Sequence, residues 1–380
     1  MQRTSASRAA PEPSPPAGLR ILLVTQMWPG PDAPDLGIFV AQTAGELERQ
    51  GHVVERVKID RRGGSMSKYL RLGWQAVGRA LRSRPDVVYA HFLVPAGTLA
   101  ALAATLARVP LVVTAHGTDV RNIGRSRGIA TLTRGTVARA ERVVAVSEFL
   151  RRGLVERLGV GPERIEVIDS GVDLGRFRGA DPAAARRRLG LAGAGPFYLC
   201  VGTLDERKNV VALAEAFEAL GRGQLIFVGD GPLRDRIAER PGVQVVGRVP
   251  HTEVPNWIGA CDVLCQPSLE EPFGQAVLEA MAGERSVLAT SIGGPPEFVT
   301  AAAGVLVDPY DVESIRVGLE RAAALPSPNP AAREAAAEHD VRLQAARVAR
   351  VLREARDAAF PGGARAGEGD ADHGSDLRRG

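Results

Sequence analysis

Twice along the chain, short runs rich in Val, Ile, Leu and Ala alternate with longer stretches of helical periodicity, and nothing else in the sequence constrains the fold as tightly. The first series is Arg20–Gln26, Val53–Ile59, Asp86–Ala90, Leu111–Ala115, Arg142–Val146 and Ile165–Ile168. The second restarts at Phe197–Gly202 and continues through Gln224–Val228, Val243–Val246, Val263–Gln266, Ser286–Thr290 and Gly304–Val307. Runs this apolar suit strands buried on both faces, and helices between successive strands suit parallel pairing. The expectation is an α/β protein with two Rossmann-like, doubly wound domains facing a cleft.

The first domain is expected over residues 19–175 and the second over 176–340, with a helix over 341–360 returning to the first. Residues 1–18, rich in Pro, Ala and Ser without the apolar core of a secretory leader, and residues 361–380 read as disordered tails. No apolar run approaches the ~20 residues of a membrane-spanning helix. Cys200, Cys261 and Cys265 lie in apolar runs without framework or metal-ligand spacing, which favours core packing and a reducing, cytoplasmic setting. The six histidines are also scattered. Charge is divided unevenly. Residues 1–180 hold 26 Lys and Arg against 16 Asp and Glu, whereas residues 181–380 hold 22 against 28. A basic first half calls for an acidic neighbour: an anionic membrane, a nucleic acid or an anionic substrate.

Within the second half, Glu271 and Glu279 stand eight positions apart in Ser268-Leu-Glu-Glu-Pro-Phe-Gly-Gln-Ala-Val-Leu-Glu-Ala-Met-Ala282. Pro272, Phe273 and Gly274 are expected to open a helix that carries Gln275 and Glu279. A helix N-terminus presents unpaired N–H groups and partial positive charge, a seat for phosphate. With one carboxylate before that seat and another behind it, hydroxyls on both sides of a diphosphate could be held. Gly202-Thr-Leu-Asp-Glu-Arg-Lys-Asn209, between a strand and a helix, places Lys208 as a second diphosphate contact. Lys208 is one of three lysines against 45 arginines. A compact ammonium is not replaced by a planar guanidinium without consequence.

Further motifs end strands elsewhere. Val228-Gly-Asp-Gly-Pro232 makes a glycine turn at Gly229. Val246-Gly-Arg-Val-Pro250 carries Arg248 and Val249, and Ser291-Ile-Gly-Gly-Pro-Pro-Glu297 is a glycine loop. In the first half, Val112–Asp119 ends in His116-Gly, with Asp119 able to orient a hydroxyl or cap the next segment. Ser147 reads as a helix N-cap. Gly37 closes a Pro/Gly loop before the helix Ile38–Gln50.

In these ordered motifs, from about Arg20 to Ala358, the chain resembles glycosyltransferase family 4, retaining transferases of GT-B fold. The resemblance implies transfer of a hexose from a nucleoside diphosphate-sugar, such as a UDP-sugar or GDP-mannose, to a hydroxyl acceptor with retention at the anomeric carbon. It implies no metal and no cofactor, the nucleotide-sugar being a substrate. The pathway expected is polysaccharide, glycolipid or related glycoconjugate synthesis. Glu271, His116 and Lys208 take the catalytic roles by this resemblance. The donor is held by Glu279, Phe273, Gly274, Gln275, Gly202, Thr203, Arg207, Gly229, Arg248 and Val249, and the acceptor side by Gly37 and Asp119. Thr203 departs from the family's arginine, with Arg207 as a substitute cation, and Leu36-Gly37-Ile38 has one glycine where the family has two. The only Asp-x-Asp, Asp370-Ala-Asp372, lies in the expected C-terminal tail.

Three rival classes remain. A nucleotide-sugar epimerase or phosphorylase shares the fold. A nicotinamide oxidoreductase needs Gly-x-Gly-x-x-Gly, for which Thr25–Gly37 offers only Gly30 and Gly37. A nucleic-acid-binding protein would use the basic half, which lacks aromatic interleaving, so no nucleic acid is expected as partner. Finally, Arg61–Arg84 holds seven basic residues and no acid. Leu70, Trp74, Val77 and Leu81 fall on one helical face there. Such a helix either packs that stripe on its own sheet or lies on the inner face of an anionic membrane.

Overall fold

A computed structural model describes residues 18–124 and 126–361. The expected tails and Asp370-Ala-Asp372 lie outside the described residues, apart from Gly18 and Pro361.

The first series of strands forms one sheet, ordered β2-β1-β3-β4-β5-β6 with every pairing parallel. Its members are β1 (Arg20–Thr25), β2 (Val53–Lys58), β3 (Val87–His91), β4 (Leu111–Ala115), β5 (Arg142–Ala145) and β6 (Ile165–Val167). The second sheet is ordered β12-β11-β10-β7-β8-β9, again all parallel. It comprises β7 (Phe197–Val201), β8 (Gln224–Val228), β9 (Val243–Gly247), β10 (Val263–Gln266), β11 (Ser286–Thr290) and β12 (Gly304–Val307). In β1, Leu22 and Val24 face one layer of helices while Ile21 and Leu23 face the other, which is why the run is apolar throughout. In β7, Phe197 and Leu199 join one core and Tyr198 and Cys200 the opposite one. All three cysteines are free and buried, and burial pushes the Cys200 and Cys261 thiols up to about 12.

The final helix, Val341–Ala359, crosses back to the first domain. Val348, Val351, Leu352 and Ala355 pack in one core with Leu19, Ile21, Val40 and Leu47. Val40 and Leu47 belong to helix α1 (Ile38–Arg49). Both domains therefore share a closing element, and the two sheets turn their carboxyl ends toward one cleft.

Helix α2 (Ser67–Ser83) inverts one expectation. Its packed face is the small one, Leu72, Gly73, Ala76 and Ala80. Of the bulky stripe, Leu70, Trp74 and Leu81 face outward, 69%, 80% and 52% exposed, while Val77 packs half-buried against the core. Small side chains let α2 approach the alanine-rich helix Thr98–Ala107 closely; a Cβ at Gly73 would already crowd Leu99. The packing of α2 thus leaves Leu70, Trp74 and Leu81 uncovered.

Candidate functional site

In an open parallel sheet, the loops diverge where the strand order reverses, and a ligand can enter between them. In the second sheet that point lies between β7 and β10. The β7 loop carries Gly202, Thr203 and Lys208, and the β10 loop carries Ser268 and Glu271. Leu269 N donates to Arg207 O at 2.9 Å, so the two loops are stitched together. Asp205 accepts from Lys208 N at 2.9 Å and closes the short turn Glu206–Lys208, which aims the lysine across. Lys208 Nζ then donates to Glu271 Oε2 at 2.6 Å, and Ser268 Oγ donates to the same oxygen at 3.1 Å. With its amide set as its neighbours require, Gln266 donates to Val201 O and accepts from Lys208 Nζ, each at 3.3 Å. Burial opposes ionisation of Glu271. The charge and hydrogen bond of Lys208, Arg207 at 3.9 Å and the Ser268 hydroxyl together outweigh it, and the pKa falls below the usual carboxylate value.

These side chains open into a cavity of about 530 Å³ built from both domains. Such a volume suits a small-molecule ligand. Gly202, Thr203, Lys208, Gly229, Arg248, Val249, Glu271, Gln275 and Glu279 line it. Gly202 and Gly229 sit at φ 140° and 152°. A Cβ on Gly229 would overlap the Gly202 carbonyl, so only glycine allows the two loops to meet as a floor. Gln275 Nε2 donates to Gly171 O at 2.9 Å, while its Oε1 is buried without a partner. Glu279 projects from the helix Gln275–Ala282, with His251 Nε2 3.7 Å away.

Several expected site residues are placed differently. The helix starts at Gln275, because Gly274 has φ 107° and cannot continue it. Phe273 and Gly274 do not line the cavity; Phe273 is buried against Phe298. Arg207 does not line it either, though its charge reaches Glu271. Asp119 keeps the second of its two expected roles, the cap, and the acceptor-side role is corrected. Its carboxylate accepts from the backbone N–H groups of Leu93, His116, Gly117 and Val120, at 2.9–3.1 Å, so it braces the loop instead of meeting an acceptor. Gly37 is the left-handed residue before α1, pressed on Met27, and it too stands off the cavity. Asp32, Asp35, Phe39, Gln42 and Arg62 form that wall instead.

His116 is one ring behind the wall. It packs on Phe39 with centroids 4.8 Å apart and on Phe92 at 4.7 Å, and its Nε2 lies 2.9 Å from His91 Nδ1. Burial lowers His116 to about 3 and His91 well below its ordinary value, so both are neutral in the native protein. An unfolded chain takes up these protons near pH 6.5. Between there and about pH 3, the unfolded state binds more protons than the native state, and stability falls as pH falls. The expected slope is up to about 1.4 kcal/mol per pH unit for each histidine. Melting temperatures across that window check it, and His91→Leu should flatten the acid limb.

The domains also touch beside the cavity. Ser147 caps the helix Glu148–Leu158 and donates to Pro272 O at 2.6 Å. Glu297 of the second domain accepts from Glu148 N and Phe149 N, both at 2.9 Å. Sequence reasoning passed over Asp32, Arg62, His251, Gln266 and the bridging role of Glu297. Among the described residues, no group of three or more His, Cys, Asp or Glu could hold a metal ion.

Two doubly wound domains with one cleft, and a cation–carboxylate pair at the second domain's reversal point, define the GT-B architecture. Sucrose-phosphate synthase from Thermosynechococcus elongatus superimposes with a TM-score of 0.75 at 19% identity, covering 89% of this chain and 100% of that one. Anabaena HepE in complex with UDP-glucose gives 0.70 at 21% identity, covering 88% and 100%. Residues 17–176 match the model of Glycosyltransferase Family 4, and residues 182–339 match that of Glycosyl transferases group 1. The D-inositol 3-phosphate glycosyltransferase of Thermobispora bispora is 33% identical over 72% of this chain and 71% of its own length. TuaC of Bacillus subtilis, assigned to teichuronic acid biosynthesis, is 31% identical over 65% of this chain and 64% of its own length. The chain belongs to glycosyltransferase family 4.

Proposed function

We propose that the protein transfers a sugar from a nucleoside diphosphate-sugar to a hydroxyl acceptor, with retention at the anomeric carbon and without a metal ion. The observation that carries this reading is the Lys208–Glu271 pair opening into the same cavity as Glu279. The pair suits a donor diphosphate at Lys208, sugar hydroxyls at Glu271 and a ribose at Glu279. As the anomeric C–O bond breaks, negative charge grows on the leaving phosphate, and the fixed ammonium of Lys208 stabilises it. Arg248 and Arg62 add cations to the cavity wall, where Thr203 supplies none. Glu271 is tied to Lys208 and Ser268, which suits a holding role better than nucleophilic attack. The departing phosphate oxygen then takes the acceptor's proton as the hydroxyl attacks from the same face. The names of the relatives, an inositol 3-phosphate glycosyltransferase and a teichuronic acid biosynthesis glycosyltransferase, favour a product in a cell-surface polysaccharide, glycolipid or related glycoconjugate, and a hexose is the sugar proposed.

The outward stripe Leu70, Trp74 and Leu81 on the basic helix α2 supports peripheral contact with an anionic inner-membrane face. No helix among the described residues is long and apolar enough to cross a membrane.

Binding to the native state raises apparent stability, by about 2.7 kcal/mol at a hundredfold excess over Kd. In a thermal-shift panel of uridine, guanosine and adenosine diphosphate-sugars, one base series should raise the melting temperature by several degrees. Flat responses to all three would defeat the donor assignment. Incubating the stabilising donor without acceptor separates the remaining alternative, because an epimerase would convert the sugar alone.

A further inference from the structure

A second cavity, of about 500 Å³, lies between β2 and α2, outside the cleft. Arg56 and Lys58 enter it from β2, Arg61 from the loop after β2, and Lys68, Arg71, Arg79 and Arg82 from α2. The one carboxylate in its wall is Asp60, 4.0 Å from Lys58. Two further acids reach its cations from outside: Glu48 pairs with Arg56, and Glu55 lies 3.6 Å from Arg79. Seven cations against three carboxylates leave four, namely Arg61, Lys68, Arg71 and Arg82. None of these has a carboxylate partner among the described residues. Like charges gathered around a concavity repel one another unless an anion enters. The walls are also braced: Arg56 and Lys58 lie over the Trp28 ring at 5.4 and 5.2 Å, and Lys68 Nζ is held by the carbonyls of Arg62 and Gly63 at 3.1 and 3.2 Å.

The loop after β2 runs from this cavity to the cleft. Lys58 to Arg61 line the basic cavity, and the next residue, Arg62, lines the cleft, pinned by Asp35 at 2.5 Å. An acceptor whose hydroxyl lies beside Asp35 and Arg62 therefore has a cationic recess at the preceding residue of the same loop. The geometry points to the β2–α2 cavity as the seat of a phosphate or diphosphate group carried by the acceptor, so that the acceptor is anionic. This rests on the transferase reading above. Arginine forks pair two-to-two with phosphate oxygens, and Lys68 adds a point charge. The phosphate belongs either to a soluble phosphorylated acceptor or to a lipid-borne one, and α2 carries the outward Leu70, Trp74 and Leu81 as well as the recess cations.

The test is calorimetric titration of inorganic pyrophosphate into the native protein, a Lys208→Ala variant, an Arg71→Ala/Arg82→Ala variant and the triple combination. Arg71 and Arg82 are exposed, so their removal should not lower the melting temperature without anion. The expected result is that Lys208→Ala keeps one pyrophosphate per chain. Loss of Arg71 and Arg82 weakens that binding at least about tenfold in either background. Arg187→Ala/Arg188→Ala, on the second domain, leaves it unchanged. The proposal is overturned if Lys208→Ala abolishes all pyrophosphate binding, or if the Arg71/Arg82 variant binds as the native protein does. Sedimentation with phosphatidylcholine vesicles containing phosphatidic acid then separates the sources. Binding that pyrophosphate displaces and the Arg71/Arg82 variant loses supports a lipid-borne phosphate. Retained pyrophosphate binding without vesicle binding supports a soluble one. Failure of the transferase reading shows separately, as nucleotide-sugars that do not shift melting while the titration stands.

Discussion

A Lys208→Met enzyme is expected to keep its fold and lose about 10²–10³-fold in transfer rate, the scale of removing one preorganised charge from a transition state. The loss should fall mainly on kcat, because in the proposed transfer the charge beside Lys208 grows as the sugar leaves. Stability changes too. Lys208 and Glu271 side chains are 14% and 10% exposed, and removing one partner of a buried pair leaves the other uncompensated. Arg207 at 3.9 Å and the Ser268 hydroxyl remain, so the cost should be about 1–3 kcal/mol, below that of a fully isolated charge. The pH dependence has a definite sign. Glu271 is depressed in the native state, so it contributes stability above its unfolded pKa that is lost as pH falls through the folded value. In Lys208→Met the folded value rises, and that contribution shrinks. Adding Glu271→Gln should restore melting without restoring turnover, a non-additive cycle that separates the structural and chemical roles of the pair. Turnover at the native rate in Lys208→Met would remove the lysine from the site.

The strands were legible because a parallel sheet buried on both faces leaves no room for polar alternation. The ends were legible to within a residue. Gly202, for example, belongs to the loop because its φ of 140° leaves the extended region. Lys208, Glu271 and Glu279 were legible because each sits in a run of loop and helix residues whose order has chemical meaning. Asp119 was not, since a carboxylate two residues after a glycine reads the same whether it faces a ligand or gathers four backbone N–H groups. His251, Gln266 and Arg62 carried no spacing at all. They reach the site only because β9, β10 and the β2 loop end at the same cleft, a fact of strand order. On α2 hydrophobicity pointed to the bulky stripe, but close helix packing selects small residues, and the face that reads as weaker is the one buried.

The glycine loop Ser291–Glu297 acts on Glu271 through its backbone. Glu271 N donates to Ile292 O at 3.3 Å, and Gly294 N donates to Glu271 O at 2.8 Å, so the loop holds Glu271 in place like a short parallel strand. Gly293 lies at φ 115°, and a Cβ there would overlap the Glu271 carbonyl. Neither backbone can retreat cheaply, since both loops are anchored in adjacent strands β10 and β11. Gly293→Ala is therefore expected to cost about 3 kcal/mol or more, from a left-handed backbone and a backbone overlap together. Transfer should fall at least about tenfold in the fraction that remains folded, because a displacement of Glu271 by about an ångström spoils a positioned contact. Glu271→Gln supplies the contrast. It removes the charge while leaving the loop undisturbed, so transfer should fall with a smaller change in melting. Denaturant unfolding beside kcat/KM for the two variants decides it: a Gly293→Ala protein of native stability but reduced transfer would mean that the loop acts on the donor directly and not through Glu271.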